Sequence, residues 1–310
     1  MQDQKSKPVM LDWLLFFAVP CLFSSNIIFG RGILGEIGPF ITAFIRWMGA
    51  FILIFPFIYK DKRACFTFMR HHTVLWLLLG FLGMGICGGL VYWALTVTTA
   101  SNATLIYTTS SLFIILFQWL FQGRALNARE VLGMMIAFAG ITVIVLKGDV
   151  AALRHMQFNI GDFGVLAAAI AFAIYSMLLR HPAVSRVAPF SLFGLLALSG
   201  AVVLLVPAAV EVTQGGVLPT TGVACLKLAG IIVFASVLAF YSFQHTVRVF
   251  GPAIAGTTLY LMPPVSIVMA VAFLGERFET YHAIGIALVM AGVILATAPK
   301  DFFKRHKTVL

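Results

Sequence analysis

FQGRALNAREVLGMMIAFAG, residues Phe121–Gly140, is read again as FLGERFETYHAIGIALVMAG at Phe273–Gly292. Five positions agree at an offset of 152: Phe121 with Phe273, Gly123 with Gly275, Gly133 with Gly285, Ala139 with Ala291 and Gly140 with Gly292. Working outward, an offset of 150 lays Asp12 on Asp162, Ala18 on Ala168, Pro39 on Pro189 and Phe40 on Phe190. The two-residue slip falls near Ser101-Asn102 and Gly251-Pro252-Ala253. Residues 10–147 therefore form one unit and 160–298 a second copy, followed by a basic tail at 299–310. A repeat of about 150 residues is far too long for a solenoid.

Both copies are apolar. Of 310 residues, 61% are hydrophobic and 10% are charged, and the mean hydropathy is +1.02. A soluble domain carries roughly 25% charged residues, so this chain cannot coat a water-facing globule. Its apolar runs match the ~20 residues that cross a ~30 Å hydrocarbon core. They predict an all-α integral membrane protein with ten spans, near 12–30, 39–59, 73–97, 102–121, 128–146, 162–180, 188–208, 224–247, 253–274 and 280–298. The first run has its partner in mid-chain and no small-residue cleavage site after it, so it is not a signal peptide. The four cysteines form no CxxC pair and are expected to be small buried residues.

The net charge of +10 reports topology. With the N-terminus in the cytoplasm, fifteen of the 21 Lys and Arg fall on the inner side and five on the outer side; Arg46 lies inside a span. That bias is the positive-inside rule. It argues against nucleic acid as a partner, and the basic run Lys60–Arg63 is expected to meet anionic lipid headgroups. Both termini are placed in the cytoplasm, with the chain in the inner (plasma) membrane. Five spans per copy is an odd number, so the second copy enters the membrane from the opposite face. The prediction is two inverted five-helix repeats, a layout that allows alternating access.

The chain resembles the drug/metabolite transporter superfamily, and within it the EamA family of ten-span exporters. The resemblance rests on FLGERF at 273–278, similar to the family's Gly-Glu turn, on the closing helix with Gly285 and Ala291-Gly292, and on Pro263 in the ninth span. Pro39 followed by Arg46 is similar to the family's start of its second helix. The first copy departs from the pattern: Arg124 stands where the second has Glu276, and Ser111 where the second has Pro263. The resemblance implies export of amino acids, other small metabolites or drugs.

None of the eleven acids falls in mid-membrane, which argues against exchange on a membrane-embedded Glu of the kind used by the related small multidrug proteins. Arg46 is the one clearly intramembrane charge. It lies seven residues after Pro39, about 10 Å in from the outer end, and stays protonated. It can pair with a substrate carboxylate or phosphate, or snorkel outward and tie down helix-end carbonyls. His245 is the histidine well inside a span, with Tyr241 on the same face by i, i+4 spacing. It can bind substrate, shuttle a proton or bond a neighbouring helix.

The polar run Tyr107-Thr108-Thr109-Ser110-Ser111 in the fourth span has its counterpart in Thr257-Thr258-Leu259-Tyr260 of the ninth. Such hydroxyls can bond back within their own helix, and the resemblance implies that these helices line the central cavity. Asn26 with Ser24 and Ser25 in the first span, and Tyr175 with Ser176 in the sixth, form a further matched set. Tyr92 and Trp93 in the third add aromatic groups that could equally be interfacial anchors. Gly85 and Gly89 form a GxxxG that serves close packing or bending during gating. Pro263 frees a backbone carbonyl one turn earlier, and Glu276 marks the family's turn.

The expected activity is transport of a small-molecule substrate by alternating access, as export of amino acids or related metabolites. Facilitated efflux, counter-substrate exchange or proton coupling through His245 would drive it. A drug or lipid-linked sugar flippase, uptake in place of export, and a non-transporting membrane scaffold remain as alternatives. No enzyme motif, metal site or cofactor site is found in the sequence, and none is expected.

Overall fold

The computed structural model describes residues 8–297 apart from 32, 34, 99–102, 104–105, 124, 126, 150–159 and 275–277. Glu276, Arg124 and the tail 299–310 lie outside the described residues. The fold is all-α. Helix α1 spans Met10–Arg31, α2 Pro39–Lys60 and α3 Lys62–His71. Then come α4 at Thr73–Ala94, α5 at Ile106–Gln122 and α6 at Ala128–Val145. The second copy supplies α7 at Ile160–Leu178, the single turn α8 at Pro182–Ser185, α9 at Pro189–Thr213 and α10 at Gly222–Phe250. Helix α11 starts at Pro252–Gly256, tightens into a 3-10 turn over Thr257–Leu261 and runs on through Met262–Leu274. Helix α12 is Thr280–Thr297.

Among the described residues, six helices are long and apolar enough to cross a membrane: α2, α4, α7, α9, α10 and the Pro252–Met269 part of α11. Shorter apolar helices run over Met10–Asn26, Ile106–Gln122 and Thr280–Ala296. With no water in hydrocarbon to bond free N–H and C=O groups, helices are the way such runs satisfy their backbones. The outer surface agrees: Val74, Leu226, Phe121 and Val206 are all at least two-thirds exposed. A soluble protein would bury such a surface, and here lipid covers it. The chain is a multi-pass membrane protein.

Helix starts show how sequence sets local structure. Pro39 and Pro189 each occupy the first turn of their helices, where a missing N–H costs nothing, after an extended Gly38 and Ala188. Neither start has a side-chain cap of its own. Instead, Glu211 at the far end of α9 accepts the Ile41 N–H of α2 at 2.8 Å. In the other copy, Asp61, next after α2, lies 3.4 Å from the Ala188 N–H that leads into α9. Asp61 and Glu211 are counterparts at the offset of 150. Each acid sits at the positive end of the other copy's helix dipole.

Other packing pairs exchange in the same way. Helix α1 packs on α10 and α7 on α4; α1 packs on α11 and α7 on α5. Helices α2 and α9 lie against each other, as do α6 and α12. The last contact runs antiparallel through the glycines of the opening motif. A Cβ on Gly133 would stand 2.6 Å from the Gly292 carbonyl oxygen, and one on Gly140 would stand 2.7 Å from that of Gly285. The main core is built around Trp47, Phe172, Tyr175, Phe193 and Phe243 between α2, α4, α7, α9 and α10. A smaller cluster of Ile115, Met134, Ile141, Tyr260 and Val289 joins α5, α6, α11 and α12.

Candidate functional site

Two segments inside the bundle depart from α-helical geometry. Helix α4 widens into a π-helix over Phe81–Leu90 and α10 does so over Ile231–Leu238. The offset of 150 lays Phe81 on Ile231, so the wide turns occupy matched places. Such turns are rare and collect at functional sites. Nothing in the composition of either segment announced them, and only the comparison of the two copies could have drawn attention to the pair.

Arg46 and Trp47 of α2 meet these two segments. Arg46 is 3% exposed. Its Nε donates to Ser236 Oγ at 2.6 Å and its Nη2 to the Ala235 carbonyl at 2.7 Å, both in the π segment of α10. Its Nη1 donates to the Tyr92 hydroxyl at 2.9 Å, and that hydroxyl donates to Asn26 Oδ1 at 2.7 Å. The guanidinium carbon lies 4.6 Å from the centre of the Trp47 ring and 5.8 Å from that of Phe240. Trp47 turns the other way and donates from Nε1 to the Met84 carbonyl, in the π segment of α4, at 3.1 Å.

The magnitudes show why an arginine is stable here. Placing one in mid-membrane costs about 2.5–3.5 kcal/mol on insertion scales. Each charge-assisted hydrogen bond returns about 1.5–3 kcal/mol, and the π-faces add to this. The bonds hold the side chain fixed, but every partner is neutral. The described ion pairs, Lys227–Glu36 and His245–Asp12, lie elsewhere. Among the described residues no carboxylate neutralises Arg46, so the site holds a net positive charge at low dielectric, which an anion would complete.

A second polar group borders this one. Gln244 Nε2 donates to the Tyr175 hydroxyl at 2.8 Å. Tyr175 rests against Phe172 at 5.9 Å, and Tyr107 rests against the same ring at 5.8 Å. The Cys87 thiol bonds the Ala168 carbonyl at 3.4 Å and contacts Tyr107. Among the described residues, the buried side-chain polar atoms that have no hydrogen-bond partner include Thr42 Oγ1, one turn before Arg46, Gln244 Oε1 and Ser110 Oγ. Leaving such a group unpaired costs about 1–3 kcal/mol, so each is a point where a polar ligand would be stabilised.

The structure brings together Arg46, Asn26 and Tyr92, with Tyr107 and Tyr175 beside them. Other predicted residues stand apart. Tyr241 stacks on Phe190 at 3.9 Å, next to His245 and towards one end of the molecule. Trp93 packs on the small cluster of Ala94 and Val165. Ser111 donates to the Gly256 carbonyl at 2.7 Å, tying α5 to α11, and Tyr260 is buried in the smaller core. Gly85 and Gly89 face Val203 and Leu204 of α9 inside the π segment, a packing role. Pro263 is buried, and Ser24 Oγ of α1 donates to the carbonyl of the preceding Met262 at 3.2 Å. Reading the sequence missed Ser236, Trp47 and Gln244 as contributors. Ser236 was hidden in an otherwise apolar run.

The model of the EamA-like transporter family matches residues 11–146 and 159–298. An uncharacterized transporter of Archaeoglobus fulgidus is 27% identical, over 92% of this chain and 96% of that protein. A Streptantibioticus cattleyicolor protein described as a "probable terminal-alkyne amino-acid exporter" is also 27% identical, over 70% of this chain and 71% of its own. The uncharacterized inner membrane transporter YedA of Escherichia coli is 22% identical over 87% of this chain and 85% of its own. A solved crystal structure superposes with a TM-score of 0.75 at 18% identity, covering 94% of this chain and 97% of that one; the likeness is one of fold.

Proposed function

Because the chain belongs to the EamA-like transporter family, we propose that it exports amino acids or related carboxylate metabolites across the inner membrane by alternating access. It is a small-molecule transporter and not an enzyme. The observation that carries the substrate class is Arg46: a buried, fixed cation with neutral partners only, flanked by unpaired polar atoms. Its guanidinium would hold the substrate carboxylate. Tyr92, Asn26, Tyr107, Tyr175 and Gln244 would form a largely neutral pocket around the rest. The Streptantibioticus relative, named as an amino-acid exporter, supports both the class and the outward direction.

Ten spans in two inverted repeats give the movement. Support comes from contacts that exchange between the copies: Glu211 with Ile41 against Asp61 with Ala188, and Gly133 with Gly292 against Gly140 with Gly285. A two-fold axis in the membrane plane generates such reciprocal pairs. Rocking of one repeat on the other would then open the site to each side in turn. The excess of Lys and Arg supports a cytoplasmic N-terminus. On that topology Cys225, exposed near the start of α10, faces outward. A membrane-impermeant maleimide should label it in right-side-out vesicles and not in sealed inverted ones; the reverse pattern sinks the orientation.

A thermal-shift screen of the purified protein tests the substrate class. L-Amino acids at 100 times their Kd should stabilise it by about 2.7 kcal/mol. Cationic drugs and nucleosides should leave the transition in place. Stabilisation by cations alone overturns the reading.

A further inference from the structure

His245 and Asp12 meet where the first turn of α1 lies against the last turns of α10. His245 Nε2 is 2.7 Å from Asp12 Oδ1, and the other oxygen, Oδ2, accepts the Val9 N–H at 2.8 Å. The two side chains remain 19% and 12% exposed, at the end of the molecule where α1 begins. Ionised carboxylate oxygens only accept hydrogen bonds, so Nε2 carries a hydrogen and the state of Nδ1 decides whether the ring is charged.

The surroundings leave this choice to the pair itself. Tyr241, one turn earlier on α10, has its ring 6.2 Å from His245 and is stacked on Phe190 of α9. Arg248, three residues on, turns its guanidinium to the Ser185 carbonyl of α8, and Arg180 reaches the Arg248 carbonyl at 3.3 Å. Trp13 and Phe16 of α1 sit on Phe250 at 4.8 and 5.6 Å. Within this setting the carboxylate that faces the imidazole is Asp12.

The other copy provides an internal comparison. Asp162, the counterpart of Asp12, lies in the first turn of α7 and accepts a hydrogen bond from the Thr98 hydroxyl just beyond α4. Helices α7 and α4 are the counterparts of α1 and α10, so the first-turn acid is again tied to the neighbouring helix's end, here by a hydroxyl from another position, since the counterpart of His245 is Leu95. A threonine hydroxyl takes up no proton in the physiological range, whereas a histidine can.

We infer that Asp12 and His245 form a proton-binding site, filled from the aqueous phase at the end of the molecule where α1 begins, whose occupancy holds α1 against α10. A proton passes from hydronium to Nδ1, leaving water and an imidazolium paired with the Asp12 carboxylate; no other bond breaks. Thr98, which donates to Asp162, supplies no group that takes up such a proton. The role of this site in coupling rests on the transport reading above, because only a rocking repeat would convert the link into a bias between its two ends.

Hydrogen–deuterium exchange of the full chain in nanodiscs tests the site without any substrate. Rates at about pH 6 and about pH 8, corrected for chemical exchange, report opening of the link. Segments 10–17 and 242–250 should exchange about threefold or more slowly at the lower pH. Asp12→Asn and His245→Gln, two independent routes, should each remove the difference, while Thr98→Val keeps it. Equal protection at both pH values in the wild type, or a difference that survives in both variants, overturns the proposal. Arg46→Ala should retain the pH response while losing transport. A wild type that shows the response but exchanges no amino acid would strike the substrate reading and leave the proton site standing.

Discussion

Arg46→Ala is expected to lower exchange of amino acids in proteoliposomes by about 100-fold or more. Two charge-assisted bonds to a substrate carboxylate, at about 1.5–3 kcal/mol each, exceed the 2.7 kcal/mol that this ratio represents. The variant also leaves Ser236 Oγ, the Ala235 carbonyl and the Tyr92 hydroxyl without their donor, so its melting temperature and elution profile must be recorded alongside. Arg46→Lys separates charge from geometry. An ammonium restores the positive charge but cannot span three fixed partners and a carboxylate with a planar fork. It should recover part of the activity and remain about tenfold below the wild type. Normal exchange in both variants would remove the carboxylate clamp and favour a flippase that does not depend on Arg46.

The second large effect is on stability. Gly140→Leu forces a side chain against the backbone of α12, where even a Cβ would stand 2.7 Å from the Gly285 carbonyl oxygen and from the Val289 nitrogen. Backbone cannot move aside as a flexible side chain does. The cost should exceed the ~1–3 kcal/mol typical of overpacking, and the variant should aggregate on extraction or melt many degrees lower. Gly285→Leu should fail in the same way, and the pair should not be additive because both changes break one contact. Gly222→Ala, with open space around its position, serves as the control and should leave the melting temperature within error. A Gly140→Leu protein that melts like the wild type would show that α6 and α12 do not pack through this seam.

Arg46 and the glycines of the α6–α12 seam were readable from the chain alone, for physical reasons. Gly133 and Gly140 recur as Gly285 and Gly292 because close helix contact in lipid demands small residues. Arg46 stands out because a charge in an apolar run always needs compensation. What the chain did not disclose is which helices are neighbours. Spacing on one helix places Tyr241 and His245 on a common face, yet the partner of His245 is Asp12, more than 230 residues away. The same holds for Glu211 and Ile41. Trp93, Tyr241 and Tyr260 have the right chemistry for a pocket, but tertiary packing sends each to a different seam. The π segments escaped because a change of one residue in hydrogen-bond register leaves no mark on composition.

Arg46 and Trp47 are adjacent, so their side chains leave α2 about 100° apart. One is fastened to a backbone carbonyl of α10 and the other to a carbonyl of α4. Any rotation of α2 about its own axis would therefore have to break one tie or the other. The first tie joins the two copies and the second stays within one, so rocking of one repeat on the other would have to release the Arg46 bond to α10 and could leave the Trp47 bond to α4 intact.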